Sequence, residues 1–493
     1  MTNNLMNLQL ELPHPLTPPF PERLSLGSLG KVHFVGIGGA GMSAIARLMV
    51  QAGVNVSGSD RAESSATDSL RELGIEISTP QSAENIVGVD TVVVSTAITA
   101  DNPELVKARE LGLRVLHRSE ALAATMDTSR VIAVAGTHGK TTTSSMISVT
   151  LGALGADPSF AVGSTIAGYD TNARLSSCQQ GSWFVAEADE SDGSFVRYRP
   201  EIAVVTNVEP DHIDFYGTAD KVHEAFARFV GSMPDDGVLI ACIDDAGARD
   251  LASRTSDAGY SVITYGESEE AHVRLSETTS DGVVCSSQVT WDFTVGEQEY
   301  QGTGQLVLNV PGKHNQLNAL AAFTCGVLAG YDADSSLKSV AQFQGTDRRF
   351  TLRGVVNDIR VFDDYAHHPT EVLRALEAGR TVAAGHSLYV LFQPHLFSRT
   401  QEFAKEFAQA LSTADRSYVL DIYPARELPI EGVTSELITE AGFSEVHYAQ
   451  PEEALEQILS QARPGDVIMT VGAGDVTSYG PDLVERLLKR AKV

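Results

Sequence analysis

The sequence predicts an α/β protein of three domains: a Rossmann-like N-terminal domain, a central P-loop α/β domain with an antiparallel flanking sheet, and a C-terminal Rossmann-like α/β domain. Three observations carry this prediction. Two glycine-rich turns, at 36–41 and 136–139, each follow an apolar strand-like run and precede a helical one. Strand and helix patterns alternate again over the last third of the chain. At 493 residues the chain exceeds one hydrophobic core, and about 150 residues per domain gives about three.

Composition narrows the class. With 43% hydrophobic and 20% charged residues and no apolar run long enough to span a bilayer, the chain reads as soluble and globular. Its formal net charge of -28 repels nucleic acid and anionic membrane at long range. An anion site must therefore work locally. At a Debye length of about 8 Å, a lysine and several N–H dipoles at contact outweigh distant carboxylates. Cys178, Cys242, Cys285 and Cys325 lie far apart without paired spacing, which argues against disulfides or zinc and fits a reducing cytoplasm. Residues 1–29, with Pro13, Pro15, Pro18, Pro19 and Pro21 but no basic start or apolar signal core, read as an irregular arm.

The first domain spans 30–126. A strand at Lys31 to Val35 runs into Gly36-Ile37-Gly38-Gly39-Ala40-Gly41, then a helix from Met42 to Ala52 and a strand from Val54 to Ser59 that Asp60 closes. That spacing is a dinucleotide fingerprint: a tight turn, close approach of a pyrophosphate, and an acid for a ribose. A strand at Thr91 to Ser95, a helix at Pro103 to Leu111 and a strand at Arg114 to Leu116 continue the alternation. NAD, another pyrophosphate ligand and a purely structural turn all fit at this point. The next hundred or so residues hold a second phosphate loop, which an ordinary dehydrogenase would not need.

The central domain spans 127–345. The strand Val131 to Ala135 leads into Gly136-Thr137-His138-Gly139-Lys140-Thr141-Thr142 and a helix. Backbone N–H groups and Lys140 suit phosphates there, and a threonine hydroxyl suits magnesium. The loop is shorter than the usual pattern, with Val134 where the first glycine would stand. Strands at Trp183 to Ala186 and Ile202 to Thr206 end in the acidic clusters Glu187 to Asp192 and Glu209 to Asp214. Ligands collect at the carboxyl ends of parallel strands, and magnesium takes few protein ligands. From His272 to Pro311 the pattern alternates as antiparallel strands do, and then Pro311 to Asn318 opens an alanine-rich helix. Asn315 and Asn318 share a face and, on position alone, read as caps.

The C-terminal domain spans 346–493, with strands at Arg360 to Asp364, Leu388 to Gln393, Tyr418 to Ile422 and Val467 to Val471. Their ends carry Asp363 to Thr370, Gln393 to Thr400 and Gly472 to Asp475. His367 and His368 beside an acid fit a metal site and an ordinary loop equally. Arg348-Arg349-Phe350 precedes this block at a plausible hinge.

The ordered set of motifs resembles the Mur ligase family from about residue 30 to the C-terminus. The set comprises Gly36 to Ser43, Gly136 to Thr142, Glu187 to Asp192, Asp211 to Asp214, His314-Asn315 with Asn318, Arg348 to Phe350, Asp363 to Glu371, and Gln393-Pro394-His395. Its order is far more specific than any one motif. The resemblance implies an ATP-dependent amide-bond-forming ligase of cytoplasmic peptidoglycan precursor synthesis. ATP would phosphorylate the lactyl carboxylate of UDP-N-acetylmuramic acid, and the amine of L-alanine would attack the acyl phosphate. ATP and Mg²⁺ are the implied cofactors, with no nucleic-acid or membrane partner, in a monomer or homodimer. The alternative within the family reattaches a recycled tripeptide to the same UDP-sugar. Outside it stand an NAD-dependent oxidoreductase and a non-catalytic nucleotide-sugar sensor, and neither explains Lys140 beside two acid clusters.

Residue by residue, the resemblance implies that Gly36, Gly38, Gly39 and Gly41 hold the uridine diphosphate, with Asp60, Ser95 and His117 lining that site and Asn172 and Arg174 at the muramyl end. Gly136, Thr137, His138, Gly139, Lys140, Thr141 and Thr142 form the ATP loop. Thr141, Glu187 and His212 are the implied metal ligands. Asn315, Arg349 and Asp364 match adenine, phosphate and ribose contacts, while Tyr365, His367 and Arg399 lie near the incoming amino acid. His367 is the candidate to take the amine's proton, on the expectation of a pKa near neutrality. Two departures stand out. Leu396 replaces an arginine found in many relatives, leaving Arg399 to hold the alanine carboxylate. Arg228 stands where some related ligases carry a carbamylated lysine, so no such modification is expected.

Overall fold

A computed structural model of the chain describes residues 23–178, 180–425 and 427–491. Most of the arm predicted at 1–29 thus lies outside the described residues. Strands β1 (Val32–Val35), β2 (Val56–Ser59), β3 (Glu76–Ser78), β4 (Thr91–Val94) and β5 (Arg114–His117) form a sheet in the order β3-β2-β1-β4-β5. Every pairing is parallel. β1, β2 and β4 are buried along their whole length, as strands covered on both faces must be. Strand order reverses beside β1, so the glycine loop that follows it stands at the switch point where such sheets bind ligands. The helix Ala40–Gln51 starts there and buries Met42, Ile45, Leu48 and Met49.

The second sheet contains β6 (Arg130–Ala135), β7 (Ser159–Ile166), β8 (Thr171–Arg174), β9 (Trp183–Glu187), β10 (Ile202–Val205), β11 (Val238–Cys242), β12 (Ser261–Gly266), β13 (Val273–Asp281), β14 (Val284–Val295) and β15 (Gln298–Leu308). Their order is β15-β14-β13-β12-β11-β10-β6-β9-β7-β8. The strands expected as a flanking sheet instead extend this one at its edge. Two-residue turns at Gly282-Val283 and Gly296-Glu297 join β13, β14 and β15, and turns that short permit only antiparallel neighbours. β6 lies between β10 and β9, with Ala135 level with Val205 and Val134 level with Glu187. That register brings the phosphate loop and both acid-bearing strand ends to one edge.

β16 (Thr351–Val356), β17 (Ile359–Asp364), β18 (Leu388–Phe392), β19 (Arg416–Val419), β20 (Val446–Tyr448) and β21 (Val467–Val471) form the third sheet, ordered β16-β17-β21-β18-β19-β20. β16 is antiparallel and the rest are parallel. Asp364, Val471 and Phe392 share one level, so the three motif-bearing ends converge.

The chain divides into two compact units: residues up to Leu275 with Val289–Gly304 and Leu317–Val340, and Ser276–Gln288 with Gln305–Gln316 and everything from Ala341. The first holds the core around β1 and β6, and the second has its own apolar clusters on both faces of β21. Within the first unit Arg23 donates to the carbonyls of Tyr198 (2.5 Å), Arg199 (2.6 Å) and Met126 (3.2 Å). The four cysteines are free. Among the described residues no helix is long and apolar enough to cross a membrane.

Candidate active site

The phosphate loop is held by its neighbours in the sheet. Gly136 has φ +141 and Gly139 φ +86, backbone conformations that favour glycine. A Cβ at Gly136 would stand 2.0 Å from Thr206 Oγ1. The Thr206 hydroxyl and the Asn207 amide both donate to the His138 carbonyl, at 2.6 and 2.9 Å. Asn207 also accepts from Thr137 N through its carbonyl and from His138 N through Oδ1. These two amides therefore serve the protein itself, whereas the loop pattern predicts turn N–H groups that point at phosphate. The first turn of the helix Lys140–Ala153 supplies the remaining donors. Asn318, read as a cap, abuts Gly139.

Lys140 Nζ donates to the Gly136 carbonyl at 2.7 Å and the Thr137 carbonyl at 3.2 Å, and pairs with Glu190 at 2.8 Å. Burial works to lower the lysine's pKa, but Glu190, Asp189 and Glu187 outweigh it and hold the pKa above its ordinary value. Burial raises that of Glu190 in turn. Thr141 Oγ1 donates to Glu187 Oε1 at 3.1 Å, and Glu187 Oε2 accepts from Gly163 N at 2.6 Å. Hydroxyl and carboxylate thus offer adjacent hard oxygens, the donor type magnesium takes, so this pair fits the implied ion. His212, at φ +55, places Nε2 3.8 Å from Glu190 and 3.7 Å from Asp211. Thr142 is buried within the helix behind the loop.

A cleft of about 190 Å³ opens beside this group, lined by Gly41, Arg118, Glu187, Asp189 and Tyr198 together with apolar side chains such as Ile45. It joins the glycine loop of the first sheet to the acids of the second. Arg118, which begins the helix after β5, donates to Asp189 at 2.8 Å. Burial alone would raise the Asp189 pKa, but Arg118 and then Lys140 hold it well below the usual carboxylate range. His117 caps the same helix, with Nε2 3.4 Å from Asp192, and burial lowers its pKa. Asp60 accepts from Gly38 N at 2.8 Å, so its carboxylate braces the glycine loop. Gly36 has φ +77, and the helix takes Gly39 as its cap. Ser95 directly follows β4 and is half-buried. Asn172 and Arg174 sit on the edge strand β8, where Arg174 pairs with Asp157 and faces the Tyr169 ring. Arg228 is buried, and burial lowers its pKa.

The second unit gathers a different group. Asp364 accepts from Phe350 N and Ala366 N, both at 2.8 Å, and burial raises its pKa to about 6 despite Arg349. Arg348 and Arg349 lie over the Tyr365 ring at 4.8 and 5.4 Å, and Arg349 is 4.0 Å from Glu371. His367 Nδ1 lies 3.0 Å from the Tyr365 carbonyl. A carbonyl only accepts, so Nδ1 carries the proton and Nε2 presents a lone pair. Burial lowers the His367 pKa to about 4, not the neutrality expected of a proton acceptor. Leu396 adopts φ +71, ψ 138 at the start of the helix Phe397–Leu411, and Arg399 follows within that helix's first turn. Asn315 is the third residue of the helix Lys313–Leu328, is buried, and donates to the Pro311 carbonyl at 2.7 Å, whereas a cap would accept from a backbone N–H.

Family models match three stretches: the Mur ligase family catalytic domain over residues 31–130, the Mur ligase middle domain over 134–326, and the Mur ligase glutamate ligase domain over 348–474. The chain belongs to the Mur ligase family. It is 54% identical to a UDP-N-acetylmuramate–L-alanine ligase of Renibacterium salmoninarum, covering 95% of this chain and 98% of that one. The UDP-N-acetylmuramate-alanine ligase structure from Thermotoga maritima matches with TM-score 0.75 at 30% identity, over 93% of this chain and 99% of that one. A murein peptide ligase structure from Psychrobacter arcticus, 24% identical with TM-score 0.66 over 94% and 98%, shares the fold.

For a Mur ligase the sequence reading chose Glu187 from its acidic cluster but assigned nothing to Asp189 or Glu190, and it passed over Arg118, Thr206 and Asn207. One signal was available. Arg118 follows a strand end in a parallel sheet, where ligand-facing residues collect.

Proposed function

We infer that this Mur ligase joins L-alanine to the lactyl carboxylate of UDP-N-acetylmuramic acid at the expense of ATP, in the cytoplasm, as a step of peptidoglycan precursor synthesis. The observation that carries the reading is the shared cleft. Gly41 of the first sheet's loop, Glu187 beside the phosphate loop, and Arg118 line one cavity, so a nucleotide sugar seated on the first sheet can present its acyl end to the second. Residues 30–126 would bind the UDP-sugar, 127–345 ATP and 346–493 the amino acid.

A carboxylate is a poor acylating agent, and phosphorylation gives it a leaving group. Transfer of the γ-phosphoryl group between two anions needs positive charge and positioning more than covalent help. Lys140 is suited to that, since neighbouring carboxylates keep it protonated at any physiological pH. Magnesium held by Thr141 and Glu187, with a second metal ion at His212, would add positive charge at the phosphates of ATP. The amine of L-alanine then attacks the acyl phosphate, forming the amide and releasing phosphate, with ADP as the other product. His367, neutral and with Nε2 as acceptor, suits orienting that amine better than storing its proton. Arg399 would hold the alanine carboxylate, Arg349 the phosphates, and Asp364 and Asn315 the nucleoside.

Phosphate release from ATP, followed with UDP-N-acetylmuramic acid plus L-alanine, glycine, L-serine or tripeptide, tests this reading. Turnover with L-alanine is expected. Release with tripeptide alone would overturn it.

A further inference from the structure

Recognition of the acyl end poses an electrostatic problem in this cleft. The substrate arrives as a carboxylate, and the cleft already carries Glu187 and Asp189. The whole chain bears a formal charge of -28. An anion entering such a space without a cation at contact distance would be repelled, because screening acts only beyond about 8 Å. Magnesium at Glu187 would offset that acid once ATP is bound, but among the cleft's own lining side chains Arg118 is the one cation, and the one available before ATP binds.

Its setting suits exchange. Nη2 lies 2.8 Å from Asp189 Oδ2 and 3.9 Å from Asp192 Oδ2, and the Arg118 and Asp189 side chains are 28% and 37% exposed. The pair is therefore open to solvent on the cleft side. The other end of the fork reaches back to the glycine loop, since a Cβ at Gly41 would stand 3.2 Å from Arg118 Nη1. A guanidinium offers five donors in a planar fork matched to a carboxylate, so one partner can replace another without moving the side chain far. Beside it Ala44, Ile45, Leu122 and Val162 form an apolar wall that suits the methyl group of a lactyl ether.

We propose that Arg118 exchanges Asp189 for the lactyl carboxylate of the nucleotide sugar, and so selects the muramyl substrate over nucleotide sugars that lack that group. The inference rests on the function proposed above. It makes Arg118 a specificity-determining residue and gives Asp189 the role of holding the fork ready in the free enzyme.

Calorimetric titration of the full chain with UDP-N-acetylmuramic acid and with UDP-N-acetylglucosamine separates the possibilities, because the second ligand keeps the diphosphate and lacks the lactyl carboxylate. Wild type should prefer the muramyl ligand. Arg118→Met should weaken it roughly 10- to 100-fold, the range of a charged hydrogen-bonded contact, and leave UDP-N-acetylglucosamine within about threefold. Arg118→Lys, which keeps the charge without the fork, should give an intermediate loss for the muramyl ligand only. Equal loss of both ligands in both variants would overturn the proposal in favour of a diphosphate contact or a structural role. If wild type released phosphate with UDP-N-acetylmuramic acid and L-alanine but showed no preference between the ligands, the proposal would fail and the function would stand. If it released none, the function itself would fail.

Discussion

Lys140, at the start of a helix, and the arginines beside Tyr365, just ahead of β16, are all cations, yet they are held by different means. In the first unit Lys140 is fixed by two loop carbonyls and Glu190, and the loop beneath it is tied down by Thr206 and Asn207. In the second unit Arg349 rests on a ring face and lies 4.0 Å from Glu371, while the backbone around it turns through positive φ at Arg348 and Phe350. Hydrogen bonds to a buried charge specify one geometry, whereas a cation over a ring tolerates several and is worth about 0.5–1 kcal/mol when exposed. The loop at Lys140 is thus fixed by the protein's own contacts. Around Tyr365, Arg348 has a comparable anchor, donating to the Gly472 carbonyl at 2.7 Å, while Arg349 keeps the looser ring contact and the backbone on either side of it stores strain.

The largest expected effect tests the rigid side. Lys140→Ala should lower phosphate release by at least roughly 100-fold, with binding of UDP-N-acetylmuramic acid by calorimetry changed less than about threefold. Loss of both would erase the division between the nucleotide-sugar and phosphate sites.

The second test uses pH on the other side. Burial raises the folded pKa of Asp364 to about 6, against about 3.9 unfolded. Its protonated form therefore favours the folded state. That contribution is full below about pH 4 and is lost as pH rises through about 6. The stability of wild type minus that of Asp364→Asn, from urea unfolding, should fall by up to about 3 kcal/mol between about pH 4 and pH 7. A flat difference would mean that Asp364 is not desolvated and that the second unit is as open to water as its arginines.

Arg23→Ala sharpens the first half of the comparison. Removing its donors from Tyr198, Arg199 and Met126 should cost about 1–3 kcal/mol in thermal unfolding and leave kcat within about twofold. An unchanged Tm would show that this segment does not brace the first unit. The smallest effect belongs to Leu396, which sits at φ +71. Leu396→Gly should stabilise the protein by up to about 1 kcal/mol, a gain visible as a small rise in Tm. A fall in Tm would assign the position to side-chain packing, not backbone strain.

Much of the site could be read from local pattern. The strand before each glycine loop, the helix after it and the acids at the ends of β9 and β10 all follow from apolar runs and turn residues. β3, with only Glu76–Ser78, and β20, with only Val446–Tyr448, escaped because three residues show no periodicity. The antiparallel strands after His272 are legible, but their place in the sheet is not, for a related reason. Alternation identifies antiparallel strands but does not say which sheet they extend.

By itself the sequence determined the three α/β blocks, the two glycine loops, and the order of motifs that places the chain among the Mur ligases. Only the tertiary structure decided how those motifs use their charges. Arg118 and Asp189 are 71 residues apart in sequence, and parallel register in two neighbouring sheets brings them to 2.8 Å. Asn207 takes two amides of a loop 69 residues before it for the same reason. Desolvation is equally non-local: His367 reads as a base near neutrality until its surroundings lower its pKa to about 4. A turn is set by the dihedral preferences of a few adjacent residues, whereas an ion pair or a pKa is set by whatever distant groups the fold packs around it.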